Sequence, residues 1–255
     1  MSPRITLAVA ARVLTQLRRD RRTLAMLLVL PCLVLALLWW MFDAGGAPLA
    51  GGFDALGPPL LALIPFIVMF LVTSVTTLRE RSSGTLERLL AMPTGKGDVL
   101  VGYALAFGAV ATVQSALAVL LCWAVLGLAV SGPVWMLVVV AVADAVLGTA
   151  LGLFVSAFAR TEFQAVQFMP ALVIPQILLC GLFLPRDAMP GVLGAISDVL
   201  PLSFAVDAMS GVSTAGGGAG LGGVAGSVWG DLAVVVAFVL AGLLLGAATL
   251  RRRTA

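Results

Sequence analysis

Residues 79–98 read RERSSGTLERLLAMPTGKGD and lie between two long apolar runs. They form the densest mixed-charge stretch of a chain that otherwise avoids charge: 61% of its 255 residues are hydrophobic and only 11% are charged. Mean hydropathy is +1.14. A soluble domain is nearer half apolar and a quarter charged, so the composition describes an integral membrane protein. A segment of this kind inside such a chain is a linker held at one face of a bilayer.

Crossing a bilayer takes about 20 predominantly apolar residues. Six runs qualify: Leu24–Phe42, Pro59–Leu78, Val99–Val125, Val134–Ala159, Phe163–Leu184 and Leu232–Leu250. The spacing therefore predicts an all-α membrane fold in a single domain, residues 1–255. Charge then sets its orientation. Arg4, Arg12, Arg18, Arg19, Arg21 and Arg22 precede the first run; Arg79, Arg81, Arg88 and Lys96 follow the second; Arg160 follows the fourth; Arg251, Arg252 and Arg253 follow the sixth. The linkers after runs one, three and five carry one basic residue, Arg186, and mostly Asp: Asp43, Asp54, Asp187, Asp198, Asp207 and Asp231. Basic linkers stay inside. The expectation is a multi-pass protein of the cell membrane, with both termini and the 79–98 segment cytoplasmic.

Three segments outside the spans carry further signals. Over residues 4–22, Leu7, Ala10, Leu14 and Leu17 recur at helical spacing with Arg12, Gln16 and Arg19 off that stripe. This predicts a basic amphipathic helix on the inner leaflet, where it meets membrane lipid. The stretch RRDRRTLAMLLVL (18–30) has the look of a twin-arginine export signal, but its apolar run is too long and no cleavage site follows, so it reads as an uncleaved first span. Residues 185–231 divide into a Pro-marked part, with Pro185, Pro190 and Pro201, and a Gly-rich part, STAGGGAGLGGVAGSVWG. The first predicts two short helices dipping into the outer leaflet as a re-entrant hairpin; the second predicts a flexible external loop. Pro170 and Pro175 predict a kink in the fifth span.

Within the opening stretch, Gly84 reads as a helix N-cap with Glu87 three residues on as its capping carboxylate. Leu86, Leu89 and Leu90 fall on one face, Glu87 and Arg88 on another, and Pro93 ends the helix. A two-turn amphipathic helix of this kind suits a groove on a partner protein; resting on the lipid surface is the other reading of the same pattern.

The stretch LRERSSGTLERLLAMPTGKGDVLVGYALA (78–106) closely resembles the signature of type-2 ABC transporter permeases, including the drug-efflux permeases of the daunorubicin-resistance type. The matching residues are Arg79, Glu80, Gly84, Thr85, Leu86, Glu87, Leu89, Leu90 and Pro93. The likeness covers the whole chain: an amphipathic N-terminal helix, six spans, and an external hairpin after the fifth. It implies that the loop is the coupling helix, docked in a cleft of a separate ATPase chain, with Leu86, Glu87, Arg88 and Leu90 as contacts. It implies two permease copies, the same or sister chains, and an outward-moving amphipathic or lipid-like substrate of drug, lipid or glycan class. It also implies that ATP and Mg are bound by the partner and that this chain is no enzyme. One departure is Tyr103 after Gly102, where the family commonly has Lys.

What the chain lacks agrees. A P-loop needs Gly-x-x-x-x-Gly-Lys-[Ser/Thr]; the one Gly-Lys pair is Gly95–Lys96, with Leu90 at the first Gly position and Gly97 after. There is no His, the commonest general base and metal ligand. Cys32, Cys122 and Cys180 all lie in apolar runs and read as buried thiols, not ligands. The basic residues follow topology, not the clustering of a nucleic-acid surface. The Arg, Ala, Gly and Val bias suits a bacterium with a GC-rich genome.

Polar residues inside the spans are the remaining candidates. Asp144 sits mid-span with no intramembrane Lys or Arg to pair with. An ionisable group there marks a site by default, and substrate contact and interhelical bonding both stay open for it. Gln114 and Thr112 in the third span, and Gln167 and Gln176 in the fifth, favour bonding across helices over substrate contact. Glu162, beside Arg160, reads as half of a solvated ion pair at the inner edge. The second functional reading is a proton-coupled secondary transporter working through Asp144. An intramembrane hydrolase has no constellation to support it.

Overall fold

The computed structural model describes residues 2–44, 52–85, 95–214 and 225–249. The regular elements among those residues are all helices: α1 (Pro3–Arg19), α2 (Arg21–Trp39, extended by a π turn Trp40–Ala44), α3 (Gly52–Ser82), α4 (Lys96–Leu120, extended by a π turn Leu121–Val125), α5 (Val134–Val155), α6 (Glu162–Leu179), α7 (Gly191–Ser197), α8 (Pro201–Thr214) and α9 (Ala225–Thr249). Six of these are long and apolar enough to cross a membrane: α2, α3, α4, α5, α6 and α9. They correspond one to one with the six runs.

The edges shift for local reasons. α3 starts at Gly52, seven residues before the expected Pro59, and runs through Pro58, Pro59 and Pro65. α6 stops at Leu179, short of Leu184, because Gly181 takes φ +93, a left-handed conformation that glycine alone adopts freely. The helix is continuous across Pro170 and Pro175. α9 begins at Ala225, so the last part of the expected Gly-rich loop, AGSVWG, is helical; residues 215–224 of that loop lie outside the described residues.

α5 is the hub, packed on α3, α4, α8 and α9. α3 and α5 approach closely because α5 carries glycines where they meet. A Cβ on Gly148 would lie 2.4 Å from the carbonyl oxygen of Phe66, and one on Gly152 would lie 2.6 Å from that of Phe70. Lipid supplies no hydrophobic drive for helices to associate, so such close backbone packing does that work. Phe66, Phe70, Leu137 and Leu147 belong to the same buried cluster, all fully buried. α2, α6 and α9 keep most of their side chains outward.

Hydrogen bonds between linkers show which ones share an end. Arg79 at the end of α3 meets Glu162 at the start of α6, and Asp98 at the start of α4 meets Ser2 and Thr6 of the N-terminal segment. At the opposite end, Asp54 accepts from the amide of Ala129 at 2.8 Å, and Ser131 and Gly132 donate to the carbonyls of Ser213 and Val212. The linkers joined at the first end are the basic ones; those at the second are the two Asp-bearing linkers and the uncharged linker 126–133. The alternation read from charge is thus a physical separation into a basic and an acidic end.

α7 and α8 form a short hairpin at the acidic end, bent by 84°. The Ser197 hydroxyl donates to the carbonyl of Leu179 at 2.7 Å, tying α7 to the end of α6. Arg186, the lone cation of the acidic linkers, reaches both Asp198 and Asp207 and lies over the ring of Phe204, 5.4 Å from its centre.

α1 is a helix as expected, but its inward face is turned. Thr6, Val9, Ala10, Val13 and Leu17 are buried, whereas Leu7 is 62% exposed. Ala10 and Leu17 keep their places in the expected stripe; Val9 and Val13 replace Leu7 and Leu14 at its centre. The reason is the partner: α1 packs chiefly on α4, and the residues that face α4 need not be the most apolar ones.

Candidate coupling site

The basic end gathers α1, the corner between α1 and α2, the end of α3, the start of α4 and the start of α6. Each element is fixed by short-range chemistry. Asp20 caps α2: it accepts from the Thr23 amide at 3.1 Å and the Thr23 hydroxyl at 2.6 Å, and these bonds hold its carboxyl below the usual range. α3 ends in a closed turn. The amide of Ser83 donates to Arg79 and that of Gly84 to Arg81. Gly84 sits at φ +70, the left-handed conformation of a residue that terminates a helix. It therefore closes α3, and does not take the extended conformation of the N-cap expected from the sequence. Thr85 is again helical, and its hydroxyl lies 2.9 Å from that of Ser83. Leu86, Glu87, Arg88, Leu89, Leu90 and Pro93, the expected contacts and stop of the loop helix, lie outside the described residues.

Two ion pairs and one hydrogen-bonded carboxylate flank that segment. Arg79 grips Glu162 with Nε and Nη2 on separate carboxylate oxygens, both at 2.8 Å. Glu162 thus pairs with α3 and not with its chain neighbour Arg160. Both partners are well exposed, so the pair positions α3 against α6 more than it stabilises them. Arg12 of α1 reaches Glu80 of α3 at 3.4 Å. Asp98, buried at 3% exposure, accepts from the Ser2 amide at 2.9 Å, the Thr6 hydroxyl at 3.1 Å and the Gly95 amide at 3.1 Å.

Beside these groups α1, α2 and α3 enclose a cleft of about 600 Å³. Leu27, Leu30, Leu71 and Val72 line it, and Asp20, Thr23, Arg79 and Glu80 stand at its rim. It joins a greasy wall to a charged lip, as an amphipathic molecule would require.

The intramembrane polar residues do not form a hydrogen-bonded group. Asp144 is fully buried in α5 and neither carboxylate oxygen has a partner among the described residues. Gln114 is fully buried and its amide is likewise unpartnered there. Gln176 donates to the Leu172 carbonyl of its own helix at 3.0 Å. Thr112 donates to Gly108 within α4, and Gln167 is exposed. The expected bonds across helices are therefore not made by these residues; the one that joins α4 to α5 is from the Ser115 hydroxyl to the Ala141 carbonyl, at 3.1 Å. Two residues escaped the sequence reading. Asp98 looked like the last residue of a linker, and only its position as third residue of a helix after Gly95 hinted at a cap. Arg186 was visible as a lone cation among aspartates, but its partners were not.

The family model of the ABC-2 type transporter matches residues 5–213. The chain belongs to the ABC-2 type transporter family. Curated relatives agree. Over 175 residues it is 29% identical to ABC transporter G family member 20 of Dictyostelium discoideum, covering 68% of this chain and 24% of that protein. Over 152 residues it is 30% identical to the probable multidrug ABC transporter permease YbhR of Escherichia coli K12, covering 59% and 41%. Over 162 residues it is 27% identical to the inner membrane transport permease YhhJ of the same strain, covering 62% and 43%. The chain thus spans less than half the length of these relatives. In this ABC-2 permease the 79–98 stretch lies in sequence between α3 and α4.

Proposed function

We propose that this permease is the membrane subunit of an ATP-driven exporter. A separate ATPase chain, holding ATP and Mg, docks on residues 84–93 at the cytoplasmic face. Two permease copies face each other, and an amphipathic or lipid-like substrate passes outward between them. The observation that carries this reading is the position of GTLERLLAMP: it joins the two spans α3 and α4 at the end where α1, α3 and α6 are tied together by ion pairs. Excess Arg at that end supports a cytoplasmic orientation for both termini. The cleft with a charged lip supports an amphipathic substrate, and the multidrug label of YbhR points the same way. Closure of the ATPases on ATP then moves the segment and, with it, the spans it joins. The hairpin α7–α8 dips into the outer leaflet and caps the path. Asp144 does not line the cleft, and the exporter reading assigns it no step.

The test is purification of the tagged protein from the membranes of its own host in mild detergent. A second chain that hydrolyses ATP should co-elute in near-equal amount. Recovery of the permease alone, in a detergent that keeps a reference ABC exporter whole, would refute the exporter reading.

A further inference from the structure

α1 is joined to α2 through a single residue, Asp20, yet it packs far more on α4. The contact is built at its first turns. Asp98 Oδ1 accepts from the Ser2 amide and the Thr6 hydroxyl, while Oδ2 accepts from the Gly95 amide and so fixes the first turn of α4. One turn further along α4, a Cβ on Gly102 would stand 2.7 Å from Val9 Cβ and 2.9 Å from the Thr6 carbonyl oxygen. The two backbones therefore touch. Val9, Ala10, Val13 and Leu17 then share one buried cluster with Val99, Tyr103 and Phe107.

A buried carboxylate with three donors is not a surface ornament. It ties the chain's N-terminal segment to the start of the span that follows the coupling segment, only a few residues beyond it. The Arg12–Glu80 contact adds a looser tie from the same helix to α3. We infer that Asp98 is a positioning residue that makes α1 and the first half of α4 one rigid unit, so that displacement of the coupling segment moves α1 in the same stroke. This rests on the reading that an ATPase acts on that segment. Asp98 touches no substrate; it acts through α1. A carboxylate is suited to this because it accepts from both sides at once, and hydrogen bonds to a charged acceptor are stronger than neutral ones.

The experiment uses the full permease–ATPase complex in nanodiscs, with the native cysteines replaced and spin labels on Ala11→Cys in α1 and Leu244→Cys in α9. The inter-label distance is measured without nucleotide and after trapping with Mg-ATP and vanadate. The unmodified complex should show a shift on trapping. In Asp98→Ala the shift should fall at least about threefold, the scale on which residues between two sites alter their coupling, while ATPase retention and hydrolysis persist. Thr6→Val, which removes one donor and keeps the shape of the side chain, should show a partial loss and covers the case in which Asp98→Ala does not fold. Asp98→Asn, which keeps an acceptor for Ser2 and Thr6, should restore much of the shift. A full shift in Asp98→Ala or in Thr6→Val, or no shift in the unmodified complex, overturns the inference. If no ATPase accompanies the unmodified protein, the exporter reading itself fails and takes this inference with it.

Discussion

Gly148→Leu should abolish the folded bundle or cost it about 3 kcal/mol or more, the upper end of what overpacking does in a filled core. The obstacle is backbone: the first added carbon would stand 2.4 Å from the Phe66 carbonyl oxygen, 3.1 Å from its carbonyl carbon and 3.2 Å from its Cα. A flexible side chain could swing away; a peptide group in the middle of α3 cannot, without moving the helix. α3 and α5 are the two most buried spans, and α5 also holds α4, α8 and α9. A shift at this seam therefore spreads to most of the bundle. Gly226→Leu is the matched control, since nothing among the described residues lies within 4 Å of the added carbon there; it should change stability by no more than about 0.5 kcal/mol. Thermal unfolding of the two purified variants in the same detergent decides the matter. Equal melting temperatures would mean that the α3–α5 seam is not what holds the bundle together.

Glu87→Lys combined with Leu90→Asp should lower ATPase recovery at least about tenfold, a loss of about 1.4 kcal/mol, while leaving the permease folded. The reasoning concerns the partner's groove. A short amphipathic helix binds through one or two apolar anchors with charged flanks. Replacing an anchor by a carboxylate leaves that charge desolvated, and reversing a flanking charge turns attraction into repulsion. The substitutions fall in sequence between α3 and α4 and replace none of the seam residues, so size exclusion and melting should match the unmodified protein. Unchanged recovery would place the ATPase contact elsewhere.

Much of the fold was legible because the bilayer is a demanding solvent. Every span had to be a helix about 20 residues long, and every basic linker had to stay on one side. Those two constraints gave the spans and their alternation, and the linker contacts bear the alternation out. Boundaries were less legible. Pro59 marked the start of a span in the sequence, but it falls inside α3. Partners were least legible. Periodicity says that α1 has an apolar face but not that Gly102 opens a seat for Val9, which turns that face away from Leu7. Glu162 had an obvious charged neighbour in Arg160, and its true partner, Arg79, comes from a helix 83 residues earlier. Asp144 stood out by its chemistry alone, and the fold gives it complete burial without a partner among the described residues. Gly84 read as the start of a helix, and its φ of +70 shows it instead closing the one before.

The most direct measurement is a photo-cross-link made in native membranes. p-Benzoylphenylalanine at position 88, within the coupling segment, should yield an adduct with an ATPase chain. The same probe in place of Val192, exposed on α7 at the acidic end, should yield none. An ATPase adduct at position 88 alone is the result expected of a permease driven through this loop. No adduct at position 88, or an equal one at position 192, would contradict it.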